Sequence, residues 1–432
     1  MSVATWRNWA GTQVAHPVAV HRPSSEHDLA AVVKQAAAEG ARVKVVGSGH
    51  SFTDIACTDG HLIDLSGYNR VLSIDTEART ATVQAGIRLE DLNRQLDLRG
   101  LAMPNLGDIA YQTISGAVST STHGTGRKLT GLAGQIAALR LVLGDGTCVD
   151  CSPDEEPELF HCARVGLGAL GIISTVTLDV VPAFNLAVVE EPMRVDSLLE
   201  DLDTHVDGND HFEFFWVPHT GWALTKRNNR TDEPLAPRGR VSEWWNDRFL
   251  QNYAFGALCR VGRVRPQWIP RLAKALPAAG RVSYVDQSYR VFASPRLVHF
   301  YEMEYAVPRS AGAEALNRIR RFVDDSGLLL NFPVEVRFTA PDDIPLSTAS
   351  ERESCYLAVH IYQGMDYEPY FDGVEAIVTD LGGRPHWGKL HTQTAGSLSG
   401  RYPQWERFAA VRDRIDPDRR FANAYLERVL GP

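Results

Sequence analysis

One stretch near the N-terminus constrains the fold more than any other. Residues 43–46 form a mostly β-branched run, which opens at residues 47–50 into a loop of sequence Gly-Ser-Gly-His. Glycine tolerates positive φ and has no Cβ, so such a loop lets backbone N–H groups approach an anionic ligand such as a pyrophosphate. A Rossmann loop would need a third glycine and an immediate helix. Residues 51–54 read Ser-Phe-Thr-Asp instead, which disfavours that fold.

A second unusual stretch covers residues 105–126. From residue 113 onward nearly every side chain is small or carries a hydroxyl, and Ile114 and Val118 are interleaved among them. Small residues leave backbone N–H groups and hydroxyl oxygens available to a flat polar ligand. An ordinary solvated Ser/Thr loop would lack the two apolar residues. We therefore predict a second ligand-binding segment at residues 105–126. Separately, the glycines of residues 166–171 predict a tight turn.

These stretches carry a resemblance. Together with a Glu-x-Arg pattern at 335–337 and a His-Trp-Gly-Lys run at 386–389, they resemble the aldonolactone oxidoreductase branch of the vanillyl-alcohol-oxidase (FAD-binding PCMH-type) family, and within it the actinobacterial L-gulono-1,4-lactone dehydrogenase group. The resemblance extends over essentially the whole chain. It implies an α+β fold, with a two-part FAD-binding domain and a cap domain that contains a large antiparallel sheet.

The implied domains are an FAD-binding domain at 1–182, a substrate or cap domain at 183–400, and a C-terminal segment at 401–432 that returns to the first domain. Period-2 alternation with aromatic residues predicts half-buried antiparallel strands, with one open face that covers the cofactor. These strands lie at 212–217, 301–307, 334–339 and 355–362. Residues 227–266 are poorly patterned and predict no more than a helix or an excursion.

The resemblance also implies FAD as the cofactor, joined covalently through the His50 ring to the flavin 8α-methyl. Without the resemblance, His50 would be interpreted as a loop histidine that is hydrogen-bonded to the backbone. The cofactor contacts that it implies are Val46, Gly47, Ser48, Gly49, His50, Ser51, Gly107, Asp108, Ser115, Gly116, Ser119, Ser121, Thr122, His123, Gly124, Gly168, Gly171, Ile173, Lys389 and His391. Asn423 is a further candidate for a hydrogen bond near the flavin.

Four residues are candidates for catalysis. Glu335 and Arg337 project from one face of a strand, which is costly unless they face a site or a partner. An outward surface ion pair is the alternative. The resemblance implies that Glu335 binds lactone hydroxyls, and that Arg337 and Lys389 stabilise negative charge on the reduced flavin. His360 could be an ordinary core histidine, but related alditol oxidases have a histidine at a corresponding position that takes part in substrate deprotonation.

The implied activity is oxidation of L-gulono-1,4-lactone, or a related aldono-1,4-lactone, at C2 by hydride transfer to flavin N5, giving L-ascorbate or an analogue. The electron acceptor is either O2 or a cytochrome or dye, and the resemblance favours the second. Two alternatives remain open: an alditol or other sugar oxidase that uses the same flavin site, and a flavin-free binding or structural protein that has kept the fold.

The composition of the chain bears on its partners, its location and the state of its cysteines. The 432 residues carry a formal net charge of −9, which argues against a nucleic-acid partner, since such binding depends on clustered Lys and Arg. The chain has no apolar run long enough for a membrane span and no leader pattern at its N-terminus, so a cytoplasmic location is expected. Six scattered cysteines predict reduced thiols. Although Cys148 and Cys151 have CxxC spacing, nothing completes a metal site.

Overall fold

The computed structural model of the chain describes residues 4–239, 252–275, 280–293 and 297–432. Up to residue 182 its strands are Trp6–Arg7, Val14–Ala15, Ala19–His21, Val43–Val46, His61–Asp64, Val71–Asp75, Thr80–Gln84, Leu101–Ala102, Ile136–Val142, Cys148–Cys151, Ile172–Asp179 and Val181–Pro182. The helices of this part are Glu26–Ala38, Leu89–Asp97, Ile114–Ser119 and Pro157–Ala163, with 3-10 turns at Asp54–Ala56, Leu65–Gly67 and Leu132–Gln135.

After residue 182 the strands are Asn185–Arg194, His211–Trp216, Trp222–Thr231, Val282–Gln287, Phe300–Pro308, Val334–Thr339, Ser354–Tyr362 and Arg384–Pro385. The helices are Val195–Glu200, Leu202–Asp207, Phe255–Val264, Ile269–Ala275, Ser288–Phe292, Gly312–Ser326, Glu368–Asp380, Ala395–Leu398, Trp405–Ile415 and Ala424–Leu430, with 3-10 turns at Pro266–Trp268 and Arg309–Ala311.

The first part of the chain builds two larger sheets and two small two-stranded ones. A three-stranded parallel sheet places His61–Asp64 between Ala19–His21 and Val43–Val46. A five-stranded antiparallel sheet has Ile172–Asp179 at its centre. The helix Glu26–Ala38 begins at a capping box formed by the residue before it and packs an apolar face on this core. The strand Val43–Val46 thereby delivers the glycine loop at the edge of a packed sheet.

The second part is dominated by one eight-stranded antiparallel sheet. Its order is 282–287, 185–194, 222–231, 211–216, 334–339, 354–362, 300–308 and 384–385. The four strands predicted in this part from alternation all belong to it. The predicted α+β class with a large antiparallel sheet is therefore confirmed.

The prediction that the strands of this sheet are half-buried was wrong for its central strands. The strands Val334–Thr339 and Ser354–Tyr362 are buried along almost their whole length, on both faces. One face packs on the helices Gly312–Ser326 and Glu368–Asp380 in a continuous apolar cluster. The other face is turned toward the first part of the chain and carries the polar residues. Alternate side chains of these strands therefore point into two buried environments, one apolar and one polar.

Two hydrophobic clusters organise the packing. The larger one joins side chains of residues 29–188 to Trp387, Phe408, Val411 and Tyr425 of the C-terminal part. The smaller lies between the eight-stranded sheet and its two long helices. The domain boundaries at 182 and 400 stay a prediction. None of the helices within the described ranges combines the length and apolar character that crossing a bilayer requires.

Two further segments differ from the sequence-based picture. Residues 114–119, predicted as part of a ligand-binding segment without any assigned secondary structure, form a short helix whose N-terminus is capped by the Thr113 hydroxyl. Of the poorly patterned residues 227–266, the first five continue the strand Trp222–Thr231, and 255–264 are helical. Residues 240–251 lie outside the described part.

Candidate active site

A cavity of about 1320 Å³ lies between the polar face of the eight-stranded sheet and residues 107–123 of the first part. All four sequence-predicted catalytic residues line it, namely Glu335, Arg337, His360 and Lys389. Of the predicted cofactor residues, Gly107, Asp108, Thr122, His123 and Lys389 line it as well.

Strand register explains why these side chains converge. Glu335 lies opposite Ala358, and Arg337 lies opposite Tyr356 on the neighbouring strand. His360, two residues beyond Ala358, lies opposite a glutamate at 302 on the next strand. Because side chains alternate between faces, these residues lie on the same side of the sheet, and Glu335, Arg337, His360 and the glutamate at 302 line the cavity.

Arg337 is the centre of a buried ion-pair network. Its Nε donates to Glu213 Oε2 at 2.8 Å, its Nη2 pairs with Glu335, and its Nη1 lies 3.8 Å from Asp108 Oδ1. Burial alone would lower the Arg337 pKa, but Glu335 and Glu213 raise it well above its usual value. Burial of Glu213 is likewise outweighed by Arg337 and then Lys226, which lower its pKa. The network thus holds a fixed cation beside two fixed carboxylates, all three of them buried.

Lys389 belongs to a second network. Its Nζ pairs with Glu302, and Glu302 Oε1 lies 3.4 Å from His360 Nε2. The other His360 ring nitrogen, Nδ1, lies 3.2 Å from the carbonyl oxygen of Pro333. Both neighbours of the ring, the Pro333 carbonyl and the Glu302 carboxylate, are acceptors, so either ring nitrogen can carry the proton of the neutral ring. Against burial, Glu302 and Glu304 raise the Lys389 pKa, which keeps the ammonium charged.

A third group of side chains surrounds Glu304, which lies two residues after Glu302 on the same strand and so faces the same side of the sheet. His123 Nε2 lies 3.1 Å from Glu304 Oε1, and the His123 ring stacks on Tyr356 at 3.5 Å. Although burial raises the Glu304 pKa, His123 lowers it far below its usual range. Burial lowers the pKa of His386 to about 4, even though Glu304 opposes it. His386 is therefore neutral at pH 7.

Sequence reasoning missed Glu213, Glu302, Glu304 and His386. The three glutamates occupy every-second positions of strands that are otherwise aromatic or aliphatic, and each is at most 7% exposed. A carboxylate repeated at that spacing is the only signal that the chain offered. The same spacing of carboxylates is equally typical of a strand face that is exposed to solvent. In the folded chain this face is covered by residues that are far away in sequence, which the local pattern does not indicate.

The predicted cofactor loop lies beside the 107–124 segment. An ideal Cβ on Gly47 would stand 2.0 Å from the Thr113 hydroxyl oxygen, so only glycine permits this approach. The Ser48 hydroxyl donates to the Tyr111 carbonyl at 2.5 Å, and Gly49 has φ of +68°. Within the described part of the chain the backbone N–H groups of residues 48–51 have no acceptor. Successive free N–H groups suit an anion such as the FAD pyrophosphate.

The other predicted cofactor residues fall into neighbouring backbone segments. The Leu167 N–H donates to the Ser119 carbonyl at 3.2 Å, which sets the glycine-rich turn of 166–171 against the helix Ile114–Ser119. Residues placed in or beside these segments are Val46, Ser51, Ser115, Gly116, Ser121, Gly124, Gly168, Gly171 and Ile173. The Ser115 hydroxyl is used internally, since it donates to the Ala85 carbonyl at 2.8 Å.

His50 lies half-buried in the loop, with the Trp9 ring 5.6 Å from its own. Burial, followed by the charges of Lys389 and Arg88, lowers the His50 pKa to about 4. The imidazole is therefore neutral at pH 7 and has a free ring lone pair, which is what a bond from a ring nitrogen to carbon requires. The residues present thus fit both the cofactor and its tether.

Two predicted residues are positioned differently. Asn423 does not face the cavity: its Nδ2 lies 2.9 Å from both the Asp54 and Cys57 carbonyl oxygens, and its Oδ1 caps the helix Ala424–Leu430. It therefore ties the C-terminal segment to the residues just after the cofactor loop. His391 is buried against the Tyr425 hydroxyl at 3.1 Å and is not part of the cavity wall.

Comparison with known proteins agrees with this geometry. The family model described as D-arabinono-1,4-lactone oxidase matches residues 176–429, and one described as FAD binding domain matches residues 17–152. The chain is 50% identical over 428 residues to L-gulono-1,4-lactone dehydrogenase of Mycobacterium tuberculosis, covering 99% of each chain. It is 37% identical over 433 residues to L-gulonolactone oxidase of Bos taurus, covering 98% of each.

More distant matches extend the same picture. An alditol oxidase of a Streptomyces species is 30% identical over 449 residues, covering 98% of each chain. The solved structure of a solvent-stable cholesterol oxidase superposes with a TM-score of 0.82 at 19% identity, covering 100% of this chain and 98% of that one, which shows a shared fold. The chain belongs to the aldonolactone oxidoreductases, FAD-dependent enzymes with the vanillyl-alcohol-oxidase fold.

Proposed function

We propose that this protein oxidises L-gulono-1,4-lactone, or a closely related aldono-1,4-lactone, at C2. The single observation that carries the proposal is that Glu335–Arg337 and Lys389–Glu302–His360 face one cavity from adjacent strands of the sheet. Fixed carboxylates suit the hydroxyls of a polyhydroxy substrate, and His360 can accept the proton of one of them.

The residues that would hold FAD are the free N–H groups of 48–51, the 107–124 segment and the turn at 166–171, with His50 as the covalent anchor. When bound, FAD supplies the acceptor for the hydride released from the substrate carbon. Lys389 and Arg337 are charged at pH 7, and their side chains are only 18% and 9% exposed. They can stabilise negative charge without reorganising at the moment of reaction.

Substrate binding falls to Glu335. Its carboxylate is oriented by Arg337, and Arg337 is oriented in turn by Glu213 on the far side. An ion pair held at both ends keeps the Glu335 oxygens pointing into the cavity. The Glu335–Arg337 pair therefore favours ligands with adjacent hydroxyl donors.

Proton transfer falls to His360. In the tautomer that donates from Nδ1 to the Pro333 carbonyl, Nε2 is the acceptor for a substrate hydroxyl proton. Glu302 lies beside that nitrogen and stabilises the imidazolium that forms. Lys389, paired with the same carboxylate, holds Glu302 ionised.

The proposal is tested by steady-state kinetics with an electron-accepting dye, with L-gulono-1,4-lactone compared against xylitol. We expect kcat/KM for the lactone to exceed that for xylitol by about 10²-fold, the discrimination that one binding pocket can give. The relatives at 50% and 37% identity are named for gulonolactone, whereas the alditol oxidase is 30% identical. A preference for xylitol would instead assign the chain to the alditol oxidases, which the shared His360 arrangement also accommodates.

We propose a cytochrome or dye, rather than O2, as the electron acceptor. The support is the 50% identity to a protein named as a dehydrogenase. Mixing the substrate-reduced enzyme with air-saturated buffer separates the two possibilities. Slow return of the oxidised flavin absorbance supports a dehydrogenase, and return within one turnover time would make the enzyme an oxidase.

The environment of His50 gives a pH prediction. A ring with a pKa of about 4 stays neutral between pH 7 and pH 5. The rate of covalent FAD incorporation into apoprotein should therefore change less than about twofold over that range. An imidazole with the ordinary pKa of about 6.5 would lose about 25-fold of its neutral form over the same interval. The measurement is the yellow fraction retained by acid-precipitated protein after timed incubation with FAD. A loss of incorporation centred near pH 6.5 would contradict the assigned environment.

A further inference from the structure

Residues 6–15 form a small hairpin to which the proposed mechanism gives no role. Its strands Trp6–Arg7 and Val14–Ala15 pair antiparallel, and the turn between them lies against the cofactor loop. We call residues 6–15 the N-terminal hairpin. Because it contacts the loop that carries the proposed covalent anchor, it can determine how that anchor is presented.

The N-terminal hairpin binds the cofactor loop through the loop's carbonyl oxygens. The Trp9 N–H donates to the Gly49 carbonyl at 2.9 Å. The Asn8 Nδ2 donates to the Ser51 carbonyl at 3.0 Å, and Asn8 is only 4% exposed. These bonds occupy a carbonyl on each side of His50 in sequence and leave the loop N–H groups to the cofactor. The hairpin therefore fixes the backbone around His50.

The His50 ring is oriented by packing rather than by hydrogen bonds. Within the described part of the chain, neither of its ring nitrogens has a hydrogen-bond partner. Its aromatic contact there is with Trp9, at 5.6 Å between ring centroids and 38° between ring planes. A reacting ring without hydrogen bonds must be held by its neighbours if it is to meet a carbon atom at a productive angle.

Trp9 is itself held on several sides. The His299 ring stacks on it, with centroids 4.4 Å apart and 14° between the planes. Phe300 and Phe52 meet it edge-on at 5.7 and 6.3 Å, and both are buried in a small hydrophobic cluster. Stacked and edge-to-face contacts are the favourable geometries of aromatic pairs. Trp9 therefore presents a rigid surface to His50.

Trp9 also covers the His50 ring. Burial is the largest cause that lowers the His50 pKa to about 4, and the charges of Lys389 and Arg88 add to it. Removing the indole would open the ring to water, which favours the protonated form. A protonated ring has no lone pair with which to form a bond.

Bond formation at His50 is an oxidation. A ring nitrogen joins the flavin 8α carbon, while one hydrogen leaves the imidazole and one leaves the 8α-methyl group. They leave as two protons, which go to solvent, and two electrons, which pass through the flavin ring to the electron acceptor. The nitrogen must therefore be unprotonated and directed at the methyl carbon.

We propose that Trp9 is a positioning residue for the covalent attachment of FAD. Its indole holds the His50 imidazole in the orientation that meets the 8α-methyl carbon, and it excludes water from the ring. The inference deepens the proposed function, because it rests on His50 as the covalent anchor. Trp9 is not among the described residues that line the active-site cavity, so it has no part in lactone binding.

The test is timed covalent incorporation of FAD into the full-length chain prepared without flavin, near pH 8 and with an excess of electron-accepting dye. The variant Trp9→Ala keeps the backbone N–H that binds Gly49 and removes only the indole. We expect its incorporation rate to fall by about 10²-fold, the loss that a misplacement of about 1 Å can cause. Non-covalent FAD affinity, compared between His50→Ala and His50→Ala with Trp9→Ala, should change by less than about threefold, because the loop N–H groups are unchanged.

The pH dependence separates orientation from water exclusion. Near pH 8 the ring is neutral in both proteins, so the loss measured there reports orientation. In Trp9→Ala the His50 pKa should rise toward its ordinary value of about 6.5, so that incorporation falls by about 10- to 25-fold between pH 7 and pH 5, against less than about twofold in wild type. Trp9→Phe retains an aromatic ring and should recover at least about a third of the wild-type rate near pH 8.

The matched control is Trp268→Ala, the same substitution at a tryptophan of the second part that is 47% exposed. It should leave incorporation within about twofold of wild type. Thermal unfolding shows whether each variant folds. If Trp9→Ala does not fold, His299→Ala carries the test, because it loosens the indole and leaves the hairpin sequence intact. It should slow incorporation by about tenfold at unchanged FAD affinity.

Failure of the anchor and failure of Trp9 give different results. If the wild-type chain forms no adduct, the anchor is wrong and this inference is overturned with it. If wild type forms the adduct but the Trp9 and His299 variants incorporate FAD at the wild-type rate, or lose FAD affinity to the same extent as rate, the anchor stands and the role of Trp9 is overturned. Equal loss in Trp268→Ala, or a pH profile of Trp9→Ala as flat as that of wild type, would overturn it as well.

Discussion

Replacing Arg337 by methionine is expected to lower kcat/KM for L-gulono-1,4-lactone by about 10²- to 10³-fold, the range typical for loss of one preorganised charge-stabilising group. The same change should destabilise the fold by about 3–5 kcal/mol, because Glu335 and Glu213 are left buried without their shared cation. Steady-state kinetics and urea unfolding measure the two effects separately.

The matched control is Arg309→Met. Arg309 also pairs with several carboxylates, Asp203 and Asp207 among them, but their side chains are 83% and 42% exposed. Solvent screening limits such pairs to about 1 kcal/mol or less, and Arg309 does not line the cavity. If Arg337→Met and Arg309→Met behaved alike in both assays, the role given to the buried network would be wrong.

The second large effect is expected from His50→Ala. Wild-type holoenzyme should keep its yellow colour on the polypeptide after acid precipitation, and the variant should release all of it. FAD should still bind to the folded variant without a covalent bond, since the N–H groups of 48–51 and the 107–124 segment are unchanged. Intact-protein mass spectrometry gives the same answer as a loss of the added flavin mass.

The control for that experiment is His27→Ala, a histidine of the same half of the chain whose side chain is 93% exposed. It should retain the adduct completely. A covalent adduct that persists in His50→Ala would show that another residue is the anchor. Release of flavin by both variants would point to damaged folding of the first part.

The elements that sequence predicted well are those with local causes. Alternation placed Glu335 and Arg337 on one face of a strand, and the structure confirms that both line the cavity. The strand and glycine loop at 43–50 also formed as expected, because a β-branched run and two glycines leave the backbone few alternatives. Recognition of the family followed from these local motifs.

The elements that sequence missed depend on long-range packing. Glu213, Glu302 and Glu304 read as the solvated side of half-buried strands, and only the first part of the chain, folded over them, makes that side interior. The hydrogen-bond partners of Asn423 were not predicted either. Its carbonyl partners at 54–57 are more than 360 residues away in sequence, which no local pattern encodes.

In the proposed mechanism, one cavity joins a flavin to the lactone-binding strand. Anaerobic mixing of the purified holoenzyme with L-gulono-1,4-lactone tests it most directly, because no external acceptor takes part. We expect the visible flavin absorbance to bleach with the lactone, and to do so far more slowly in Glu335→Gln with equal flavin content. Flavin that stays oxidised in the wild-type enzyme with saturating lactone would contradict the account.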